Sequence, residues 1–134
     1  MAQAFQDLTV WQRAMEMAVC VYGLTKTLPK DELYGLTSQL RRATVSVASN
    51  IAEGRGRVTE GEFRQFLSIA QGSTYEVQTQ LLVARQLKMG DEVTLRKAEA
   101  LCIETSKMLG ALIQSLKARG LKLEARSCFQ WPYL

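Results

Sequence analysis

The 134-residue sequence predicts an all-α fold, an up-down-up-down antiparallel four-helix bundle, on three observations. Apolar residues make up 47% of the chain, there are only two prolines, and strong helix formers (Ala, Leu, Gln, Glu, Lys and Arg) are frequent. Four segments repeat apolar residues every three or four positions, the spacing of one helical face. Connections of roughly two to seven residues separate them, which makes successive helices antiparallel neighbours. A chain of this length fits one domain and can bury roughly 65 to 70% of its unfolded surface without a metal or disulfide framework.

The first helix follows Asp7 and Thr9, either of which can cap it, with Gln12 at capping-box spacing from Thr9. Its stripe reads Leu8, Trp11, Met15, Ala18, Tyr22 and Thr25, widened by Ala14, Val21 and Leu28, and Pro29 stops it. After a turn through Lys30, Asp31 and Glu32, a second stripe runs Leu36, Leu40, Ala43, Val47 and Ile51, with Gly54 in the left-handed conformation as its C-terminal cap. Thr59 and Glu62 form the capping box of the third helix, whose apolar positions Phe63, Phe66, Leu67, Ala70, Val77, Leu81 and Ala84 lead to Gly90. It carries the longest low-charge face in the chain. Asp91 caps the fourth helix, where Leu95, Ala98, Cys102, Thr105, Leu109, Leu112 and Leu116 alternate steps of three and four until Gly120 closes it. The bundle thus occupies residues 1–120 and a non-helical tail residues 121–134.

The 17 basic and 13 acidic residues give a net charge of +4, and its distribution is uneven. Residues 36–57 carry Arg41, Arg42, Arg55 and Arg57 against Glu53, and residues 117–134 carry Lys117, Arg119, Lys122 and Arg126 against Glu124. The rest is acidic on balance. If the two segments meet, they make one basic face suited to a polyanion.

The segment SNIAEGRGR, residues 49–57, raises the question of a phosphate loop. A Walker motif needs a lysine followed by Ser or Thr after its glycines, and a Rossmann fingerprint needs a third glycine inside a βαβ unit; both are missing. The segment reads instead as a helix end, with arginines favourably placed at the negative end of the helix dipole. Exposed guanidiniums at such a turn also offer planar donors to phosphates.

Folding helices two and three back near Arg57 brings Ser46 near Ser68 and Arg42 to the level of Gly72, Ser73 and Glu76. Gly72 costs about 1 kcal/mol in a helix interior, so close approach of helix two is its expected compensation. Arg42 and Glu76 are then a half-buried ion pair, with Asn50 and Ser73 hydrogen-bonding in the seam. This seam, with Glu53, is expected to fix register and not to catalyse.

The absence of histidine removes the commonest general base and metal ligand, and with it serine-histidine and cysteine-histidine catalysis. Cys20, Cys102 and Cys128 form no CxxC pair, offer no zinc spacing, and fit a reducing cytoplasm, with Cys20 and Cys102 as core fillers. No export signal, membrane span, cofactor, metal site or small-molecule substrate is expected. Phe129, Trp131 and Tyr133 alternate beside Pro132. In an extended tail they would dock in a groove of the same or a neighbouring subunit, stack on RNA bases beside Arg126, or form a disordered end.

Three stretches carry a family resemblance: FQDLTVWQRAMEMAVCVYGLT, LPKDELYGLTSQLRRATVSVASNIAEGRGR and EFRQFLSIAQGSTYEVQTQLLVAR, together about residues 5–85. Through the order of RRA, SV, NIAEG and the later GS.E, the chain resembles the four-helix-bundle proteins encoded by intervening sequences of bacterial 23S ribosomal RNA genes. The resemblance implies a ring-like homo-oligomer, a pentamer foremost. It also implies distant kinship with accessory proteins of diversity-generating retroelements, basic bundles that work with a reverse transcriptase and its RNA. The matching positions are Arg41, Arg42, Ser46, Asn50, Glu53, Gly54, Arg57, Gly72, Ser73 and Glu76. Beyond Lys88 the fourth helix matches only in type.

The expected function is therefore non-enzymatic: an oligomeric helical bundle that binds structured RNA or a ribonucleoprotein, mainly through phosphates. Arg41, Arg55, Arg57, Lys117, Arg119, Lys122 and Arg126 are the expected RNA contacts, and five copies of +4 would give +20. The alternative is an adaptor that docks a reverse transcriptase or another protein.

Overall fold

The computed structural model describes residues 4–130, with side chains for residues 4–121. It contains four long helices, α1 (Thr9–Thr25), α2 (Ser38–Arg55), α3 (Glu60–Gln86) and α4 (Glu92–Gln130), and no strand among the described residues. Each helix packs on two others in the cyclic order α1, α2, α3, α4 and back to α1. Positions that advance along α2 retreat along α3: Ser46 meets Ser73, and Gly54 meets Phe63 and Phe66. The same holds for α3 and α4, where Arg85 meets Glu99 and Gln71 meets Ser106. The core draws two fully buried large side chains from every helix: Met17 and Leu24, Leu40 and Ile51, Leu67 and Leu81, Leu95 and Leu109.

In α1 the buried line is Val10, Ala14, Met17, Val21 and Leu24. Met15 and Tyr22, expected inside, are exposed, and Trp11 is half-buried. The helix is apolar on nearly every side, so several stripes fit its sequence and only packing selects one. Its N-cap position is Leu8, without a side-chain cap, and the helix ends at Thr25, before Pro29. A 3-10 turn at Lys30–Glu32 and a kinked turn at Leu33–Thr37, bent at Gly35, lead into α2; the Glu32 carboxylate accepts from the Leu36 amide at 3.1 Å.

Gly54 does not cap α2. Its φ is not positive, the helix continues through Arg55, and Gly54 is buried. A Cβ there would lie 2.5 Å from Phe66 Cβ and 3.1 Å from Phe63 Cδ1, so this glycine lets α2 press onto α3. Thr59 and Glu62 close the capping box of α3, with the Glu62 amide donating to Thr59 Oγ1 at 3.1 Å. The other end of α3 is a Schellman turn, in which the Met89 amide reaches Ala84 O at 2.9 Å and that of Lys88 reaches Arg85 O at 3.1 Å. Lys88 holds the left-handed position at φ 56°, where glycine is usual, and Gly90 follows at φ 87°. Asp91 caps α4, accepting from the Thr94 amide at 2.9 Å and hydroxyl at 2.7 Å.

The non-helical tail is corrected over most of its length, because α4 runs through Gly120 to Gln130. A helical glycine costs about 1 kcal/mol, and the Leu, Lys, Glu, Ala and Arg residues that follow favour helix enough to carry the chain past it. Trp131 and Tyr133 lie outside the described residues, as does the side chain of Phe129.

Two substitutions test these backbone assignments by chemical denaturation. Gly54→Ala is expected to destabilise by about 1 to 3 kcal/mol despite alanine's better helix propensity, because the new methyl group overpacks the Phe63 and Phe66 contact. Lys88→Gly is expected to stabilise by about 0.5 to 1 kcal/mol by relieving a left-handed L-residue.

Candidate nucleic-acid interface and polar seam

The α2–α3 turn gathers the cations. Arg55 lies with its guanidinium carbon 5.9 Å from the Phe63 ring centroid, and Arg57 lies 4.6 Å from that of Phe66. Both are cation–π distances, and they spread the guanidinium planes over aromatic surface next to solvent. Arg57 also pairs with Glu53 at 2.8 Å, one helical turn back. From α4, Arg119 reaches Glu60 in the first turn of α3 at 3.0 Å, with Lys117 half a turn earlier. Arg64, which sequence reasoning did not single out, points to the same place: its Nη1 stands 3.8 Å from where a Cβ on Gly120 would be. Five cations thus share one end of the molecule with Glu53, Glu60 and Glu62, and the Phe5–Asp7 turn packs on α2 as well.

Arg41 does not join them. It lies fourteen residues before Arg55 on α2, about 21 Å along the axis. There its Nε donates to Thr25 Oγ1 at 2.9 Å and its guanidinium covers the Tyr22 ring at 5.0 Å, tying α2 to α1. Lys122 and Arg126 lie on the last turns of α4, outside the described side chains. Those turns extend past the level of Arg119 and Glu60 by about 15 Å.

The seam departs from its expected register. Ser46 meets Ser73 at 2.9 Å and not Ser68, because the chain reverses around Thr59 and not Arg57. Asn50 Nδ2 donates to Ser46 O at 2.8 Å and to Ser46 Oγ at 3.0 Å, so the three polar side chains form one chain of hydrogen bonds. Arg42 and Glu76 form no ion pair: both are exposed, on opposite banks of an open groove that Gln39, Ser46, Ser73 and Gln80 also line. In water a long, flexible pair gains too little to hold one geometry. Gly72 is likewise exposed, with nothing within 4 Å of a built Cβ, so α2 is not what it accommodates.

Cys20 is half-buried, its thiol 3.7 Å from Thr94 O. Burial pushes the Cys20 thiol up and the Cys102 thiol up to about 12, and Cys102 Sγ donates to Thr74 O at 3.4 Å. Neither is a thiolate nucleophile at neutral pH. Among the described residues no group of three His, Cys, Asp or Glu could hold a metal, and no helix is long and apolar enough to cross a membrane. Arg85, also missed in the sequence, clamps α3 to α4 by donating from Nε to Glu99 at 3.0 Å and from Nη1 to Glu92 at 3.0 Å. Its partners lie 7 and 14 residues away, across the α3–α4 turn and outside the i, i+3 and i, i+4 pairs of a single helix.

Against this geometry, the family model described as 23S rRNA-intervening sequence protein matches residues 6–111. The chain belongs to this family. A solved structure similar to it is a protein of unknown function from the S23 ribosomal protein family of Bacteroides thetaiotaomicron, at 23% identity and a TM-score of 0.70, covering 78% of this chain and 98% of that one. That likeness is one of fold. No curated protein matches. In this member of the 23S rRNA-intervening sequence family, the matched region holds the α2–α3 turn and the polar seam but ends before Lys117 and Arg119.

The unfolded Cys102 thiol ionises near ~8.5, while the folded one stays protonated to about 12. Stability is therefore expected to fall as pH rises above the unfolded value, since only the unfolded state then releases the proton. Iodoacetamide at pH 8.5, followed by mass spectrometry, should label Cys102 only once denaturant is added.

Proposed function

We propose that this protein is a non-enzymatic, cytoplasmic, ring-like homo-oligomer of antiparallel up-down-up-down bundles, five copies in the form the family resemblance favours, which binds structured RNA through phosphates at its basic end. What supports this reading is the convergence of Arg55, Arg57 and Arg119 at the α2–α3 turn, with two guanidiniums laid on aromatic rings and Lys117 at the same level of α4. Their acidic partners are exposed, and exposed ion pairs are weak enough for a phosphate to displace the carboxylate. The end carries only a small net charge, so affinity comes from repetition around an oligomer. Contacts of this kind position a backbone and do not read bases. The family's association with an intervening sequence of 23S rRNA makes a ribosomal RNA fragment the first ligand to test.

Filter binding of such fragments at low salt checks the proposal. Arg55→Glu with Arg57→Glu is expected to weaken retention about tenfold or more and to reduce the log–log salt slope by about two, one for each lost phosphate contact. Glu53→Gln, which frees Arg57, should tighten binding a few-fold. Unchanged retention in the double variant overturns the assignment of the site, and no retention of the unaltered protein leaves the protein-adaptor alternative.

A further inference from the structure

We infer that the outer face of α3, with the start of α2, is the seam between copies, and that the α1/α4 face of a second copy occupies it. The inference rests on the homo-oligomer in the proposed function and adds which surfaces meet. Over residues 65–84, α3 carries a single charge, Glu76. Its outward side shows Ile69, Tyr75, Leu82 and Val83, Tyr75 being 53% exposed. With Leu36 and Gln39 this side forms an open groove of about 460 Å³, floored at Gly72.

Gly72 is the sharper sign. It sits mid-helix at a cost of about 1 kcal/mol, is exposed, and meets nothing of its own chain. A glycine there admits the close approach of a backbone from outside. The cyclic packing places the α1/α4 face on the opposite side of the molecule, and that face has the same character. Met15, Val19 and Cys20 line a second open groove there, Val19 is 71% exposed, and Gly23, one turn further on, also has nothing within 4 Å of a built Cβ.

The charges at the two grooves complement one another. Glu76 lines the α3 groove and Arg42 the adjoining one over Ser46 and Ser73, each without an ion-pair partner among the described residues; the α1/α4 groove holds Glu16, paired with Arg13, and Lys97, which likewise has no ion-pair partner there. With Arg13 and its partner Glu104 counted beside Glu16 and Lys97, each face has as many cations as carboxylates, which favours neither RNA nor an anionic membrane and suits another neutral, mixed surface. Two different faces on opposite sides make a head-to-tail contact, which repeats and closes into a ring where its rotation allows.

Light scattering across a concentration series tests this, with circular dichroism to show that each variant folds. Glu76→Lys alone and Lys97→Glu alone should each weaken assembly about tenfold or more by setting like charges against each other, and the two together should restore it. Gly72→Leu, at a position open in the single chain, should abolish assembly while the helix content stays. Full assembly in all three single variants overturns the seam while leaving the oligomer intact. Dissociation without recovery in the double variant overturns the α1/α4 face as the occupant. A monomeric unaltered protein overturns the oligomer itself, a failure distinct from both.

Discussion

The close contact of α2 with α3 sets the positions of most other features. It depends on one missing methyl group, since Gly54 lies against Phe63 and Phe66 where any Cβ would collide. With α2 held at that distance, Arg55 and Arg57, just beyond the glycine, fall over the same two rings. The α2 face turned to α3 is built of small residues such as Ala43, Ser46 and Gly54, which keeps the helices close enough for Ser46 and Ser73 to touch. An apolar contact is non-directional and permits sliding; a hydrogen-bonded Asn50–Ser46–Ser73 chain does not. Packing thus fixes the distance and the polar chain fixes the register.

The sequence carried the fold wherever local chemistry was one-sided. Thr59 with Glu62, and Asp91 with Thr94, are short-range caps and form as their spacing requires. The stripes of α2 and α4 have largely polar opposite faces, and their core positions were readable, as were those of α3 despite its apolar outer side. In α1, apolar residues on all sides allowed a stripe through Met15 and Tyr22, and packing buried Val10 and Met17, which that stripe leaves out. Glycine misled three times for one physical reason: the residue serves a left-handed turn, a close contact or a plain helical position with the same letter. Gly54 proved to be a contact, Gly120 a helical position, and Gly72 an exposed helical position and not the close contact with α2 expected of it.

The candidate site was legible as composition and not as geometry. Arg55 and Arg57 were apparent as cations at a turn, but their aromatic platforms lie eight and nine residues on, across a reversal whose centre had to be known first. Misplacing that centre by two to three residues was enough to pair Ser46 with Ser68, whereas the ion pair of Arg42 and Glu76 failed because both side chains stand in water. Arg41, alike in sequence to the others, was separated from them by about 21 Å of helix, because charge clustering along a chain is not clustering in space.

The proposed assembly and the proposed RNA contact would use different parts of the surface. The two grooves lie on the long sides of the bundle, whereas Arg55, Arg57, Lys117 and Arg119 lie at one end of it. Copies joined side to side with parallel axes would leave that end uncovered and turn it the same way in every subunit. The small excess at one end would then become a continuous rim of cations, and a folded RNA could touch several subunits at once. Each contact would stay individually weak and salt-sensitive, because each guanidinium has a nearby carboxylate or ring to return to. On this arrangement the protein would hold an RNA only as an assembly, and the concentration of the protein itself would govern binding.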